Sequence, residues 1–362
     1  MNHILQEDFE QVLSYGEWEE LRGRSVFVTG ATGLIGSLLV RLFAYANETR
    51  DADITIYPFV RSKEKAEGIY GDLLKDKHLR LITGDLLQPV DEAFEKNGCA
   101  DAPIDYIFHG AAITTSKVMV ERPVETIATS LTGTENVLKF AAEKKVRSMV
   151  YLSSMEMYGT FPEGTGDVTE DMLGEIDIKK IRSNYPLSKR MCENMCVAYH
   201  SEYGVPVKIA RLAQTFGAGI LPGENRVFAQ FAKSAIKGED IVLHTEGKSE
   251  GNYCYSADAL AALILLLLKG EDAESYNVVN EATHTTIAQM AQMVAEEIAG
   301  GSIKVVFDIP KENTFGYAAD TKLKLSAQKL RSLGWQPRTT LPEAYHRLVD
   351  FLQYEEQTET DR

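Results

Sequence analysis

A phenol and an ammonium group stand four residues apart in the segment Tyr185-Pro186-Leu187-Ser188-Lys189. Side chains at this spacing share one face of a helix, so the two groups are predicted to lie side by side. A tyrosine titrates near pH ~10 in isolation, and an adjacent ammonium together with a positively charged hydride acceptor would draw its pKa towards neutrality. Such a phenolate can accept the proton of an alcohol while hydride leaves the same carbon. The alternative is a chance pair on an exposed helix.

A serine and a carboxylate follow another predicted strand upstream, in the run Ser153-Ser154-Met155-Glu156-Met157-Tyr158-Gly159. Residues just beyond the carboxyl ends of parallel strands are where α/β proteins bind ligands. Ser154 is therefore expected to hold a substrate hydroxyl beside Tyr185, the alternative being a strand-end cap. Glu156 is either a functional group of the same site or an ordinary loop carboxylate.

The first predicted strand runs directly into a glycine-rich segment, Gly30-Ala31-Thr32-Gly33-Leu34-Ile35-Gly36, from which a helix continues. Glycines allow a sharp turn and a close approach to phosphate, and the helix N-terminus offers unpaired N–H groups. The segment predicts binding of a dinucleotide pyrophosphate by the backbone around Gly30, Thr32, Gly33, Leu34, Ile35 and Gly36.

Two charged residues at later strand ends bear on the choice of dinucleotide. The second strand ends in Phe59-Val60-Arg61-Ser62-Lys63, without the acidic residue that receives the ribose hydroxyls of NAD. Arg61 could face a 2′-phosphate, so NADP is favoured slightly over NAD, the alternative being a solvated charge pair at the start of a loop. Asp85, in Gly84-Asp85-Leu86, could accept a hydrogen bond from adenine or simply close a turn.

These residues must be positioned by an alternation of short β-branched runs and longer helical stretches, which predicts right-handed β-α-β units. Strands are predicted at Ser25–Thr29, Ile54–Val60, Leu79–Gly84, Tyr106–His109, Ser148–Ser153, Val207–Arg211 and Tyr276–Val279. Apolar residues at intervals of three and four predict helices at Leu34–Ala46, Val124–Glu143 and Pro186–Tyr203. The expected fold class is α/β, a Rossmann-like doubly wound parallel sheet with a smaller α/β substrate-binding lobe.

Three regions are predicted along the chain. An amphipathic helix over Asn2–Arg22 would make residues 1–23 an N-terminal helical extension. The dinucleotide-binding domain is expected over 24–211, with a segment at about 252–282 that returns to the sheet and carries the apolar helix Ala257–Leu268. The lobe would take 212–251 and 283–362, with helices near Arg226–Lys237, Thr286–Ala299 and Thr340–Tyr354 and a strand near Ile241–His244.

Composition narrows the classes of partner. The 362 residues carry a net charge of −15 spread along the chain, which argues against nucleic acid, because phosphate neutralisation needs clustered cations. No apolar run reaches the ~20 residues that span a bilayer, and no secretory signal is visible, so a cytoplasmic protein without membrane association is expected. The four cysteines lack metal-ligand spacing, which predicts reduced thiols and no metal.

Taken together, these motifs resemble the extended short-chain dehydrogenases, and specifically the NAD-dependent epimerase/dehydratase family that acts on nucleotide sugars. The resemblance spans nearly the whole chain. It rests on the glycine segment, Gly84-Asp85-Leu86, His109-Gly110-Ala111-Ala112, the Ser154 segment, Tyr185 with Lys189, Arg211-Leu212 and Leu333-Gly334-Trp335-Gln336-Pro337.

The resemblance implies roles for individual residues. Tyr185 would be the base, Lys189 would bind the nicotinamide ribose, and Ser154 would pair with the substrate hydroxyl. Cofactor contacts would include Leu86, Ala111 and Ala112, and substrate contacts Ser154, Met155, Gln214 and Arg226. Family members that dehydrate or decarboxylate carry a carboxylate at the position of Glu156. The dehydratase pattern has Asp just before it, where this chain has Met155.

The chain departs from the family pattern at three further positions. Ser130 and Gln214 stand where Asn is usual, and Gly251 stands where the family often has an arginine that grips the diphosphate of the sugar nucleotide. Arg226 or Lys248 could compensate. If neither does, a ligand other than a nucleoside diphosphate sugar becomes the alternative.

The leading hypothesis is an enzyme that oxidises a sugar hydroxyl through a 4-keto type intermediate and then restores its NAD(P). The alternatives are a net NADPH-dependent reductase and, from a different class, a dinucleotide-sensing protein without catalysis. The helices Val124–Glu143 and Pro186–Tyr203 resemble those that pair two subunits in this family, so a homodimer is expected.

Overall fold

The structure is a computed structural model, and it describes residues 1–15, 18–221, 223–310 and 322–360. Over these residues the strands are β1 Ser25–Thr29, β2 Thr55–Val60, β3 Ile82–Thr83, β4 Tyr106–His109, β5 Ser148–Ser154, β6 Val207–Leu212, β7 Gln214–Phe216, β8 Ile241–Leu243, β9 Glu250–Tyr255, β10 Ser275–Val278, β11 Asn280–Thr286 and β12 Val305–Phe307. The helices are α1 His3–Leu13, α2 Leu34–Arg50, α3 Lys63–Tyr70, α4 Val90–Lys96, α5 Ser116–Glu121, α6 Pro123–Lys144, α7 Asn184–Tyr203, α8 Val227–Lys237, α9 Ser256–Lys269, α10 Ile287–Met293, α11 Gln328–Ser332 and α12 Leu341–Thr360.

The centre of the molecule is a seven-stranded parallel sheet in the order β10-β6-β5-β4-β1-β2-β3. From β1 the strand order extends through β2 and β3 on one side and, starting again at β4, through β5, β6 and β10 on the other. The switch point between β1 and β4 is that of a doubly wound fold. Smaller sheets of order β11-β9-β7 and β12-β8 lie outside it. This architecture confirms the predicted fold class.

Helices cover both faces of the central sheet, because its strands are apolar on both sides. In β1, Val26 and Val28 join one hydrophobic cluster while Phe27 joins the other, and all three are fully buried. The ring of Phe27 lies 5.2 Å from that of Phe94 and 5.5 Å from that of Phe140, centroid to centroid. Successive side chains of one strand thus anchor opposite layers.

Two predicted elements are shorter than expected. The strand predicted at Leu79–Gly84 is regular only over β3, with a single bridge between Ile56 and Leu79. It lies at the edge of the sheet and pairs on one side only, so no second neighbour extends its hydrogen bonding. The N-terminal helix predicted over Asn2–Arg22 ends at Leu13, and a separate 3₁₀ turn covers Trp18–Leu21.

The early end of α1 has a local cause. The Ser14 hydroxyl donates to the carbonyl of Gln11 at 2.7 Å, and such a bond competes with continuation of the helix. The sequence then places Gly16, a poor helix former, after Tyr15.

The segment after β9 returns to the central sheet. Helix α9 packs against β5 and β6, and β10 pairs in parallel with β6. The boundaries proposed for the three regions stay a prediction. No helix in the described part of the chain combines the length and apolar character needed to cross a membrane.

Candidate active site

The glycine segment forms a tight turn between β1 and α2. Gly30 has a φ of +67°, and a Cβ there would lie 2.7 Å from the carbonyl carbon of Gly110. A Cβ on Gly36 would lie 2.3 Å from the carbonyl oxygen of Gly30. A side chain at either position would force the backbone apart, so these glycines fix the shape of the turn.

The turn exposes the start of α2 to a ligand. Gly33 is the N-cap residue, and no side chain caps the helix there. The first N–H groups of α2 are therefore open to an anion, and the helix dipole favours a negative charge at the same point. These features are those that a dinucleotide pyrophosphate needs, and its binding by the backbone from Gly30 to Gly36 stays a prediction.

A buried histidine supports the Gly110–Ala111 segment, which faces Gly30 of the turn. Nδ1 of His109 lies 2.7 Å from the hydroxyl of Thr29, and Nε2 lies 3.0 Å from the hydroxyl of Thr134. The N–H of Ala111 donates to the same Thr29 hydroxyl at 3.3 Å. Burial and the charge of Lys189 lower the pKa of His109 to about 3, so the ring is neutral at physiological pH. This histidine fixes the Ala111 segment without adding charge.

The other predicted cofactor contacts, Arg61, Asp85 and Leu86, differ from one another in exposure and in their partners. Arg61 directly follows β2 and is exposed. One carboxylate oxygen of Asp85 accepts a hydrogen bond from the N–H of Leu87 at 3.0 Å, so this side chain closes a turn. Leu86 is buried beneath Gly133 of α6. The cofactor contacts of these residues and of Ala112 stay predictions.

Helix α7 presents the predicted phenol and ammonium on one face. The Nζ atom of Lys189 lies 5.8 Å from the centroid of the Tyr185 ring and 4.7 Å from that of Tyr151. It donates to the carbonyl of Leu152 at 2.6 Å. The Ser154 hydroxyl accepts a hydrogen bond from the N–H of Glu156 at 3.2 Å and lies close enough to the Tyr185 phenol to lower its pKa. Ser154, Tyr185 and Lys189 therefore meet at the end of β5, as expected from the sequence.

In the chain alone, burial dominates the ionisation of Tyr185. Burial raises the pKa of the phenol above its ordinary value, and the nearby charge of Glu156 raises it further. Opposing influences that lower this pKa come from Ser154, Arg182 and Arg226. Burial also lowers the pKa of Lys189. In the chain alone, desolvation exceeds the attraction of the neighbouring cations, and the fall of the Tyr185 pKa expected from Lys189 together with a nicotinamide ring stays a prediction.

Glu156 forms an ion pair that the sequence reasoning missed. Its carboxylate oxygens lie 2.8 and 3.0 Å from Nη2 of Arg182, and both side chains are about one-third exposed, at 36% and 32%. The guanidinium carbon of Arg182 lies 5.8 Å from the centroid of the Tyr185 ring. The signal was present, since Arg182 precedes Tyr185 by three residues and so lies close to one helical turn upstream.

The predicted substrate residues are only partly brought together. Arg226 precedes α8, pairs with Glu224 at 2.7 Å, and lies close enough to Tyr185 to influence its ionisation. Gln214 begins β7 and is half-buried, and Met155 packs against the hydrophobic core. The contacts of Gln214 and Met155 with a substrate stay predictions.

Gly251 lies in β9 beside open space. A Cβ at this position would have no atom within 4 Å, so the backbone would tolerate the arginine usual in the family. Lys248, the other candidate replacement, pairs with Glu246. Of the two, Arg226 is the one whose charge reaches Tyr185.

Comparison with known proteins identifies the family. A sequence model described as "NAD dependent epimerase/dehydratase family" matches residues 26–280, and the chain belongs to this family. It is an enzyme of the extended short-chain dehydrogenase type, as the resemblance implied. The family is NAD-dependent and includes nucleotide-sugar epimerases, dehydratases and decarboxylases.

Several relatives are decarboxylases. UDP-glucuronic acid decarboxylase 6 of Arabidopsis thaliana is 29% identical over 88% of this chain and 85% of its own length. UDP-N-acetyl-alpha-D-glucosaminuronate decarboxylase of Bacillus cytotoxicus is 27% identical over 85% of this chain and 93% of its own length.

Solved structures share the fold. UDP-glucose 4-epimerase of Thermus thermophilus, in complex with NAD, is 26% identical with a TM-score of 0.72, covering 91% of this chain and 99% of that one. An epimerase of Methanothermobacter thermautotrophicus reaches a TM-score of 0.78 at 21% identity, with 98% of each chain covered.

Proposed function

We propose that this enzyme oxidises the C4-type hydroxyl of a nucleotide-linked sugar acid, decarboxylates the resulting 4-keto sugar, and returns the hydride to the product. One observation carries the proposal. The Glu156–Arg182 ion pair lies beside the phenol that would remove the hydroxyl proton. A cation next to the reacting carbons suits a substrate that bears a carboxylate there.

The first step uses the residues at the end of β5 and the start of α7. The Tyr185 phenolate takes the hydroxyl proton, Ser154 orients the hydroxyl oxygen, and Lys189 supplies positive charge on the same face. A bound NAD-type cofactor would supply the hydride acceptor and later the hydride donor. Its nicotinamide charge would also favour the phenolate, against the burial that raises the pKa of Tyr185 in the chain alone.

Decarboxylation follows from the chemistry of the ketone. In a 4-keto sugar acid, the carboxylate is attached to the carbon next to the ketone. The bond to that carboxylate can break with its electron pair flowing to the ketone oxygen, releasing CO₂. The protonated Tyr185 phenol can donate a hydrogen bond to the enolate oxygen that forms. A proton then replaces the lost carboxylate on carbon.

The Glu156–Arg182 pair suits this step better than dehydration. Arg182 attracts the substrate carboxylate, while Glu156 offsets part of that attraction and so favours departure as neutral CO₂. Elimination of water needs a separate acid for the leaving hydroxyl, and the residue preceding Glu156 is the apolar Met155. Epimerisation at the oxidised carbon alone would need no charged residue at this position.

Cofactor choice, assembly and location are further parts of the proposal. Arg61 supports NADP slightly over NAD, because it is exposed at the end of β2 where a 2′-phosphate would lie.

We propose a homodimer formed through α6 and α7, which pack together and carry exposed apolar side chains. We also propose a cytoplasmic location, since Cys99, Cys192, Cys196 and Cys254 are unpaired.

Product analysis with two matched substrates tests the reaction. The protein is incubated with UDP-glucuronic acid or with UDP-glucose, which lacks the carboxylate, and products are identified by mass spectrometry. The expected result is loss of CO₂ from UDP-glucuronic acid without net change in cofactor absorbance. Conversion of UDP-glucose alone, or consumption of one equivalent of reduced cofactor per product, would contradict the proposal.

A further inference from the structure

An arginine outside the predicted site binds the loop that carries Glu156. Arg190 follows Lys189 on α7, and its side chain is half-buried. Its Nε donates to the carbonyl of Met157 at 2.6 Å, and its Nη2 donates to the carbonyl of Tyr158 at 3.0 Å. Both acceptors lie within two residues of Glu156. Within the described chain, the hydrogen-bonded partners of Arg190 are backbone carbonyls. Its guanidinium group therefore holds loops in place.

The same guanidinium holds a second loop. Nη2 of Arg190 also donates to the carbonyl of Gly174 at 2.7 Å. Gly174 belongs to the segment that leads from β5 to α7 and carries Arg182 near its end. The N–H of Gly174 in turn donates to the carbonyl of Tyr158 at 2.9 Å. One side chain thus joins the segment of Glu156 to the segment of Arg182.

The loop that carries Glu156 and the segment that contains Gly174 pack closely, so no other side chain can easily take the place of Arg190 between them. A Cβ on Gly174 would lie 2.4 Å from the carbonyl oxygen of Thr160, so the two loops touch through their backbones. Thr160 and Glu175 exchange backbone hydrogen bonds of 2.9 and 2.8 Å beside this contact. Without Arg190, the partly buried carbonyls of Met157 and Gly174 lose this donor, whereas that of Tyr158 keeps the N–H of Gly174, and the loops would shift to recover the missing bonds.

We infer that Arg190 is a positioning residue that keeps the Glu156–Arg182 pair in place beside Tyr185, and this inference rests on the proposed function. Tyr185 and Lys189 are held by α7 itself and by the bond from Lys189 to Leu152. Loss of Arg190 therefore leaves alcohol oxidation nearly intact. It slows the decarboxylation that depends on the ion pair.

Two half-reactions separate this role from a general loss of structure. The Arg190→Met variant keeps side-chain length without donors, and Arg190→Lys keeps the charge on a single donor head. Reduced cofactor formed in a single turnover with UDP-glucuronic acid reports oxidation, and released CO₂ reports decarboxylation. We expect CO₂ release to fall about 100-fold in Arg190→Met, the scale of a misplaced catalytic group, with oxidation changed about twofold or less. Arg190→Lys should recover part of the loss.

Hydrogen exchange provides a readout that does not depend on turnover. In Arg190→Met, amides of residues 156–160 and 174–182 should exchange faster, whereas those of α7 should keep their protection. The matched control is Arg147→Met, which removes an arginine bound to Asp105 far from these loops. It should change neither exchange in the two segments nor either half-reaction.

The results of these experiments distinguish a failure of the role of Arg190 from a failure of the proposed function. Equal loss of both half-reactions, or unchanged exchange in both loops, overturns the role of Arg190. If the unaltered protein leaves UDP-glucuronic acid unchanged, the proposed function fails. The exchange comparison alone then supports or overturns the role of Arg190 in holding the loops.

Discussion

At the residue scale, the charge of Glu156 has a consequence for the base. Burial and then Glu156 raise the pKa of Tyr185, so the phenol alone is protonated near neutrality. Glu156→Gln removes one of the two influences that hold the pKa up. The pH dependence of single-turnover oxidation, which needs the phenolate, should therefore shift to lower pH. Glu175→Gln, in the neighbouring loop, is the control and should leave the profile in place. A shift to higher pH in Glu156→Gln would contradict the assignment.

Arg61 is the residue that should decide between the two dinucleotides. If it faces the 2′-phosphate of NADP, Arg61→Ala should weaken NADP binding about tenfold, the loss of one charge-assisted contact, and leave NAD binding unchanged. The control is Lys63→Ala, which removes a nearby cation that pairs with Glu67. Calorimetric titration of both dinucleotides measures the effect. Equal weakening of NAD and NADP would show that Arg61 does not discriminate.

The residues found from sequence share one property, which is that their spacing along the chain fixes their spacing in space. Tyr185 and Lys189 are one helical turn apart, and Gly30 to Gly36 form one turn between a strand and a helix. Arg190 could not be found in this way, since its partners are carbonyls of loops that sequence does not place. The pKa of Tyr185 was also beyond reach, because it depends on burial by the whole fold.

At the scale of elements, a buried ion pair ties α7 to the central sheet. Nη2 of Arg211, in β6, lies 2.8 Å from a carboxylate oxygen of Glu193, and both side chains are less than one-tenth exposed. The hydroxyl of Ser153 donates to the same carboxylate. Arg211 also donates to the phenol of Tyr158 at 2.9 Å. The helix that carries the base is thereby fixed to the strand that carries Ser154.

Removing one partner of this pair should be costly. Glu193→Gln or Arg211→Met should each lower the free energy of unfolding by about 3–5 kcal/mol, because a buried charge loses its counter-ion. The double variant should lose less than the sum of the two. Chemical denaturation of all four proteins measures this coupling. Additive losses would mean that the two charges do not stabilise each other.

Sequence patterns located the central strands well and the outer elements less well. The strands predicted at Ser25–Thr29 and Tyr106–His109 match β1 and β4, which are paired on both sides and buried throughout. The strand predicted at Leu79–Gly84 and the helix predicted over Asn2–Arg22 were too long. The strand lies at the edge of the sheet and the helix ends at the turn of Ser14, so an edge and a turn override the local pattern.

At the scale of the whole molecule, the two ends of the chain are joined. Asp8 of α1 accepts hydrogen bonds from Tyr255 at 2.8 Å and from Arg347 of α12 at 2.9 Å. Asp258 of α9 accepts from the N–H groups of Arg338 and Thr339 at 2.9 and 3.0 Å. Helix α1 is therefore bonded to the strand β9 and to the C-terminal helix α12.

The predicted homodimer interface is the outer surface of α6 and α7. Val124 is 77% exposed and Met191 is 48% exposed, and burying such side chains in a dimer would remove apolar surface from water. Val124→Glu together with Met191→Glu should convert the protein to a monomer in light-scattering measurements at micromolar concentration. The control is Val242→Glu, an exposed apolar residue of β8, which should have no effect. An unchanged mass in the double variant would place the interface elsewhere.

The measurement that tests the central assignment most directly is turnover of Tyr185→Phe. This change removes one hydroxyl from a ring that is almost fully buried, so the fold and the dinucleotide crevice should persist. We expect no product from UDP-glucuronic acid while the affinity for the dinucleotide, measured by calorimetry, stays close to that of the unaltered protein. Undiminished turnover in Tyr185→Phe would contradict the role of this phenol as the base.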